Sequence, residues 1–177
     1  HSAAQYSTPE VIAALIAKGA RVGSRDKDGA TALHAAVKSG NVGAFAVLSK
    51  KIDINARDKD GDTMLHYWAG YRGNRAMLDA LLTTGAKINA RNEKGNAPLH
   101  YAILTNQQQA VLLLLENGAN AGISNAEGKT PLVLADENAD FQNSEAYWVL
   151  NDTQYAPAEV EETPAADNLN VEPYVPQ

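Results

Sequence analysis

An all-α solenoid of stacked helix-turn-helix units, with β-turn fingers between them, is predicted by three features of this chain. The sequence repeats with a period near 33 residues, each copy opens on a polar turn containing glycine, and each continues into two short apolar segments. Segments of that length form helices but cannot hide their apolar faces alone, so the copies must stack. Aligned on Arg-x-x-x-Gly, the units begin at Arg25, Arg57, Arg91 and Ser124, at spacings of 32, 34 and 33 residues.

The elements follow in order. Ahead of the first full unit, "STPEVIAALIAKGARVG" reads as the second helix of a truncated unit. Ser7 or Thr8 would cap it, with Glu10 three residues after Ser7 as in a capping box. The domain then spans 1–155: a partial unit to about residue 24, full units at 25–56, 57–90, 91–123 and 124–155, and beyond them an acidic, proline-containing tail at 156–177. The turns are "RDKDG", "RDKDG", "RNEKG" and "SNAEG", and the first helices "TALHAAVKS", "TMLHYWAGYR", "APLHYAILT" and "TPLVLADEN". Thr31, Thr63 and Thr130 suit the N-cap, where a side-chain oxygen accepts an orphan backbone N–H. Pro98 and Pro131 fall just inside, where no donor is lost. The second helices, as in "NRAMLDALLTTGAKIN" and "QQQAVLLLLENGANAG", stop at Gly85 and Gly118, residues that supply a left-handed C-cap. Leu33, Leu65, Leu99 and Leu132 recur at one position and should form a single buried column.

These turns and helices resemble the ankyrin repeat, with its unit of about 33 residues and its T-P-L-H-x-A signature. The resemblance covers residues 7–155 in register. It implies about four full repeats plus an N-terminal half repeat, with turns and first helices lining a concave side that binds other proteins. It also implies that His34, His66 and His100 hydrogen-bond the neighbouring turn. The last unit departs most, with Val133 in place of His and Asp136 at an apolar position, which suits an end whose outer face meets water.

Composition excludes several functions. Five of the 21 acids and no Lys or Arg follow Tyr155, so residues 1–155 hold 16 acids against 15 bases. Nucleic-acid binding needs a basic face that this balance lacks. The longest aliphatic run, Ala110 to Leu115, is far short of the ~20 residues of a membrane span. The chain has no cysteine, which excludes disulfides, thiolate catalysis and thiolate zinc sites. A chain without thiols and with an abrupt start suits export, so the expected compartment is the bacterial periplasm after loss of a signal peptide; the alternative is the cytoplasm.

No chemistry is written in the motifs. The three histidines occupy one repeat position, about 10 Å apart by helix packing, too far to share an ion whose His ligands sit at ~2.0–2.1 Å. "DKDG" has the carboxylates of a calcium loop, but with Gly61 or Gly29 at the loop glycine the closing Glu becomes Tyr67 or Ala35. A turn whose Asp side chains bond local backbone is the better reading. No catalytic signature or phosphate loop is present. The expectation is a non-enzyme without metal or cofactor, a monomer alone.

One unit breaks the pattern. "HYWAGYRG" puts Tyr67 and Trp68 where the preceding unit has Ala35 and Ala36, and lengthens the unit by one residue. Trp68 falls in an otherwise alanine column (Ala36, Ala102, Ala135), so either it is core and the extra residue makes room for it, or it tips outward. Tyr67 and Tyr71 are i and i+4 on one face, Arg72 follows, and Tyr101 is the counterpart of Tyr67 in the next unit. Tyr and Arg dominate binding hot spots, so Tyr67, Tyr71, Arg72 and Tyr101 are the expected partner anchors, with Trp68 at their edge. Arg57 and Arg91, with Arg25, form a column along the turns, expected as a rim engaged in ladder salt bridges. In the tail, Leu169, Val171, Tyr174 and Val175 are expected to dock on the repeats or a neighbour.

A module without chemistry changes its partner only by occupying it. The expected function is binding and inhibiting or masking one protein, such as a secreted or periplasmic enzyme. The resemblance extends to small exported bacterial proteins that protect the cell from its own cell-wall hydrolase. The alternative is a passive scaffold or stabilising subunit of a larger complex.

Overall fold

The computed structural model describes residues 1–71 and 73–155. Arg72 and the tail, with Leu169, Val171, Tyr174 and Val175, lie outside the described residues. Among the described residues ten helices follow in order: α1 (Ser2–Tyr6), α2 (Pro9–Ala17), α3 (Ala32–Lys38), α4 (Val42–Leu48), α5 (Met64–Gly70), α6 (Arg75–Thr83), α7 (Pro98–Leu104), α8 (Gln108–Glu116), α9 (Pro131–Asp136) and α10 (Glu145–Tyr155). They form two layers. The first helices α1, α3, α5, α7 and α9 pack in sequence, while α2, α4, α6, α8 and α10 back them. None among the described residues is long and apolar enough to cross a membrane.

The core is the repeat pattern made physical. Leu33, Leu65, Leu99 and Leu132 are all buried, as are Ala36, Trp68, Ala102 and Ala135 at the next inward position. Thr8, Thr31, Thr63 and Thr130 stand at N-caps, and Pro98 and Pro131 begin α7 and α9. Gly85 and Gly118 stop α6 and α8 with φ of +91° and +82°.

The N-terminal unit holds more than the second helix read from residue 7 onward. Short α1 packs on α3, and Nε2 of His1 lies 2.9 Å from the carbonyl of Ala30. His1 therefore fills the place that the repeated histidine fills elsewhere.

The fingers are joined by directional bonds. Within each turn an Asp or Asn side chain accepts local backbone N–H groups: Asp58 Oδ1 takes those of Asp60 and Asp62, both at 2.9 Å. Between turns, the N–H of Lys59, Glu93 and Ala126 donates to the carbonyl of Asp28, Asp60 and Lys94, each at 3.0 Å. The arginine column adds a second stitch. Arg57 donates to Gly61 O of its own turn (3.2 Å) and Arg91 O of the next (2.6 Å), and Arg91 to Gly95 O (3.1 Å) and Ser124 O (2.8 Å). The arginines thus bond backbone carbonyls rather than the neighbouring carboxylates that their sequence context suggested.

The histidines are a third stitch. The Thr63 N–H donates to His66 Nδ1 at 3.1 Å, which leaves the proton on Nε2 to donate to Asn96 O at 2.9 Å. His100 repeats this with Ala97 N–H (3.1 Å) and Lys129 O (3.2 Å). These ring nitrogens are committed to backbone. His34 makes the first contact, from Thr31 N–H at 3.1 Å, while its Nε2 is buried without a hydrogen-bond partner.

Burial is the main cause that holds all three imidazoles below the ordinary 6.5. A base held neutral by folding gives its full stability above its unfolded value and loses it as pH falls toward the folded one. The denaturation midpoint is therefore expected to be lower at about pH 5 than at about pH 7.5. Replacing His66 and His100 by Gln should flatten that dependence; an undiminished slope would contradict the assignment.

Candidate protein-binding face

The long unit resolves its own oddity. Trp68 is core, 1% exposed, and its Nε1–H donates to Asn74 O at 3.0 Å. Gly73 lies flat against the indole: a Cβ there would stand 2.5 to 2.8 Å from three ring carbons. The extra residue lengthens the loop so that backbone alone can wrap the ring. Trp68 is therefore the floor beneath the aromatic face and not an anchor on it.

Above that floor the tyrosines gather. Tyr71, at the C-cap of α5, is 46% exposed. Its ring stacks on that of Tyr67 with centroids 6.2 Å apart and planes at 28°. Lys38 Nζ sits 4.3 Å from its centroid, a cation–π contact. Tyr67 is half-buried, edge-on to His34 at 5.0 Å, and its hydroxyl donates to Asp58 Oδ2 at 2.8 Å. Burial, then this carboxylate, drives the Tyr67 phenol far above its usual range. Tyr101 packs edge-on to His66 at 5.9 Å and its ring covers Gly70, where a Cβ would come within 2.9 Å. Its phenol is pushed up to about 12 by burial and then by Asp62.

The fold thus brings Tyr67, Tyr71 and Tyr101 to one face, as the i, i+4 and repeat relations require. The face has unequal members. Tyr67 and Tyr101 are built into the wall with hydroxyls directed at carboxylates, and Tyr71 alone of the three projects. Arg57 and Arg91 lie along the finger row, engaged with carbonyls. Lys38 escaped the sequence reading; its one signal is the position at the C-terminal end of α3, one repeat before Tyr71.

Beside Tyr71 is a notch of about 280 Å³ lined by Val37, Lys38, Gly40, Trp68 and Gly73. A second groove of about 330 Å³ runs between the later fingers, past Asp62 and Tyr101. Asp62 was not singled out from the sequence. The residue is 6% exposed, and its carboxylate accepts from Asn92 Nδ2 at 2.7 Å.

Comparison with known proteins matches residues 1–92 and 67–153 to the family described as ankyrin repeats. Among curated proteins, neurogenic locus notch homolog protein 1 of Homo sapiens is 34% identical over 136 residues, covering 76% of this chain and 5% of that protein. The Mus musculus protein of the same name is 34% identical over 135 residues, with the same coverage. The chain thus spans a small fraction of the length of the curated relatives it matches.

Proposed function

The chain belongs to the ankyrin-repeat family, and from that premise we propose that it binds one protein partner through the face built by Tyr67, Tyr71 and Tyr101 and masks or inhibits that partner by occupying it. The repeats are a non-enzymatic interaction module, so occupation is the action available to them. The observation that carries the reading is Tyr71: a large aromatic, 46% exposed, already held by Lys38 and Tyr67. An exposed ring fixed before binding loses little side-chain entropy on docking. Arg72 follows it in sequence and joins the proposal on sequence grounds. Arg57 and Arg91 form the rim, and Trp68 contributes by fixing the loop.

A finer version makes the partner an enzyme, such as a cell-wall hydrolase, restrained in a bacterial periplasm. It rests on the size of the repeat domain and the lack of cysteine.

Tyr71→Ala is expected to weaken partner binding by about 2 kcal/mol or more, roughly 30-fold, while shifting stability by no more than ~0.5 kcal/mol because the ring is exposed. The partner is identified by tagged pull-down comparing wild type with the Tyr67, Tyr71 and Tyr101→Ala variant, and affinity is then measured by calorimetry. One enzyme recovered by wild type, lost by the variant and inhibited on binding supports the proposal. A set of proteins retained by both would show a scaffold that works through other surfaces.

A further inference from the structure

The second groove has a chemistry of its own. It lies between the fingers at Asp60, Glu93 and Glu127, with Asp62 in its wall, and Lys94 is the one cation among its lining residues. No ion pair among the described residues joins Lys94 to these four carboxylates; Glu127 faces Lys129 at 3.7 Å, and no ion pair is made by Asp60, Asp62 or Glu93. On the helix side the groove is apolar: Tyr101, Leu134 and Leu104, the last 54% exposed. A carboxylate wall facing an apolar ledge is the complement of a side chain with a hydrocarbon stem and a cationic head.

Asp62 sharpens the point. Residues at its position, one before the N-cap, are Ala30, Asn96 and Lys129 in the other full units, so this unit alone places a carboxylate there. Burial raises its carboxyl above the usual range, against the opposing hydrogen bond from Asn92. A charge buried beside amides and a phenol, without a cation, weakens the folded state. A cation brought in from outside would supply the missing counter-charge.

We propose that this groove receives an arginine side chain of the partner protein, with the guanidinium against Asp62 and the finger carboxylates and the methylene stem along Tyr101 and Leu104. Arginine fits better than lysine. Its planar fork bonds a carboxylate and an amide such as that of Asn96 at once, and it stacks on a tyrosine ring. This rests on the reading that the concave face binds protein, and names the partner's chemistry there.

The test uses the full chain, labelled with nitrogen-15, and N-acetyl-arginine methylamide as probe. The side-chain amides of Asn92, Asn96 and Asn125 line the groove and report occupancy. Saturable shifts of these signals are expected, with Kd on the order of 1 mM, weakening with added salt. The neutral isostere N-acetyl-citrulline methylamide should produce none. Asp62→Asn and, separately, Glu93→Gln should each weaken binding several-fold. Asp62→Asn should fold at least as stably as wild type at neutral pH, since its amide oxygen still accepts from Asn92 and the buried charge is gone; Glu93→Gln, on the groove's exposed edge, guards against a folding defect. Equal shifts with citrulline, unchanged binding in both variants, or no saturation at about 100 mM probe, a hundredfold above that Kd, would overturn the proposal. If the titration fails while Tyr71→Ala still weakens partner binding, the arginine assignment alone falls.

Discussion

Trp68→Ala is expected to destabilise the protein by about 3–5 kcal/mol, the range for removing a fully buried large aromatic. The indole is 1% exposed, and the equivalent positions in the flanking units are Ala36 and Ala102, side chains too small to fill the space it leaves. The Nε1–H bond to Asn74 O is lost too, and with it the loop's fixed path around the ring. In a linear stack each unit touches only its neighbours. Damage at the third of five units should therefore also split unfolding into two phases. Guanidinium denaturation followed by circular dichroism reads both effects. Trp68→Phe, which keeps most of the bulk, should cost about 1–2 kcal/mol. An alanine variant that loses less than about 1 kcal/mol would mean that the indole is not the keystone of its unit.

Gly95→Ala should come next, at about 2–5 kcal/mol. Its φ is +73°, which costs an L-residue ~1–2 kcal/mol. Its added Cβ would also stand 2.7 Å from Ala126 N and 2.9 Å from the Arg91 guanidinium. That overlap costs a further ~1–3 kcal/mol because Ala126 N is the group that donates to Lys94 O across the turns. Gly128→Ala separates the two causes. There φ is +78° with nothing within 4 Å of the added atom, so it should lose only the ~1–2 kcal/mol of backbone strain. Equal losses in the two variants would show that contact between turns contributes nothing at Gly95.

The fold was legible because its determinants are local and repeated. Thr-x-x-His, Pro at the first helical turn and Gly after the second helix each specify a backbone conformation within a few residues, and the period supplies the tertiary register. The role of the extra residue in "AGYRG" was legible in part, since an indole in an alanine column must displace something; that it would be wrapped by the backbone of Gly73 was not. The site was less readable for a related reason. Arg57 sits beside acids in sequence, yet its guanidinium meets the carbonyl of Arg91, 34 residues on, and carbonyls carry no sequence signal. Tyr67 and Tyr71 look equivalent at i and i+4. They diverge because Asp58, nine residues back in the chain, captures the hydroxyl of Tyr67. The burial of Asp62 depends on how closely one finger lies over the next, a distance that no composition or spacing encodes.

The stitched fingers have a mechanical consequence. On one side the units are tied by short directional bonds, backbone N–H to carbonyl and guanidinium to carbonyl, which resist both stretching and sliding. On the other side apolar packing, which has no preferred direction and yields to shear, carries most of the contact, with scattered side-chain bonds such as Arg75 to Glu116 at 2.6 Å and Asn138 Nδ2 to Ile103 O at 3.3 Å. When such a stack flexes, the finger edge behaves as an inextensible cord and the helical edge as the part that spreads or closes, like a fan turning on its rivets. A partner laid along the fingers meets a scale with fixed graduations, whereas one seated among the helices meets a surface whose curvature can adjust to it.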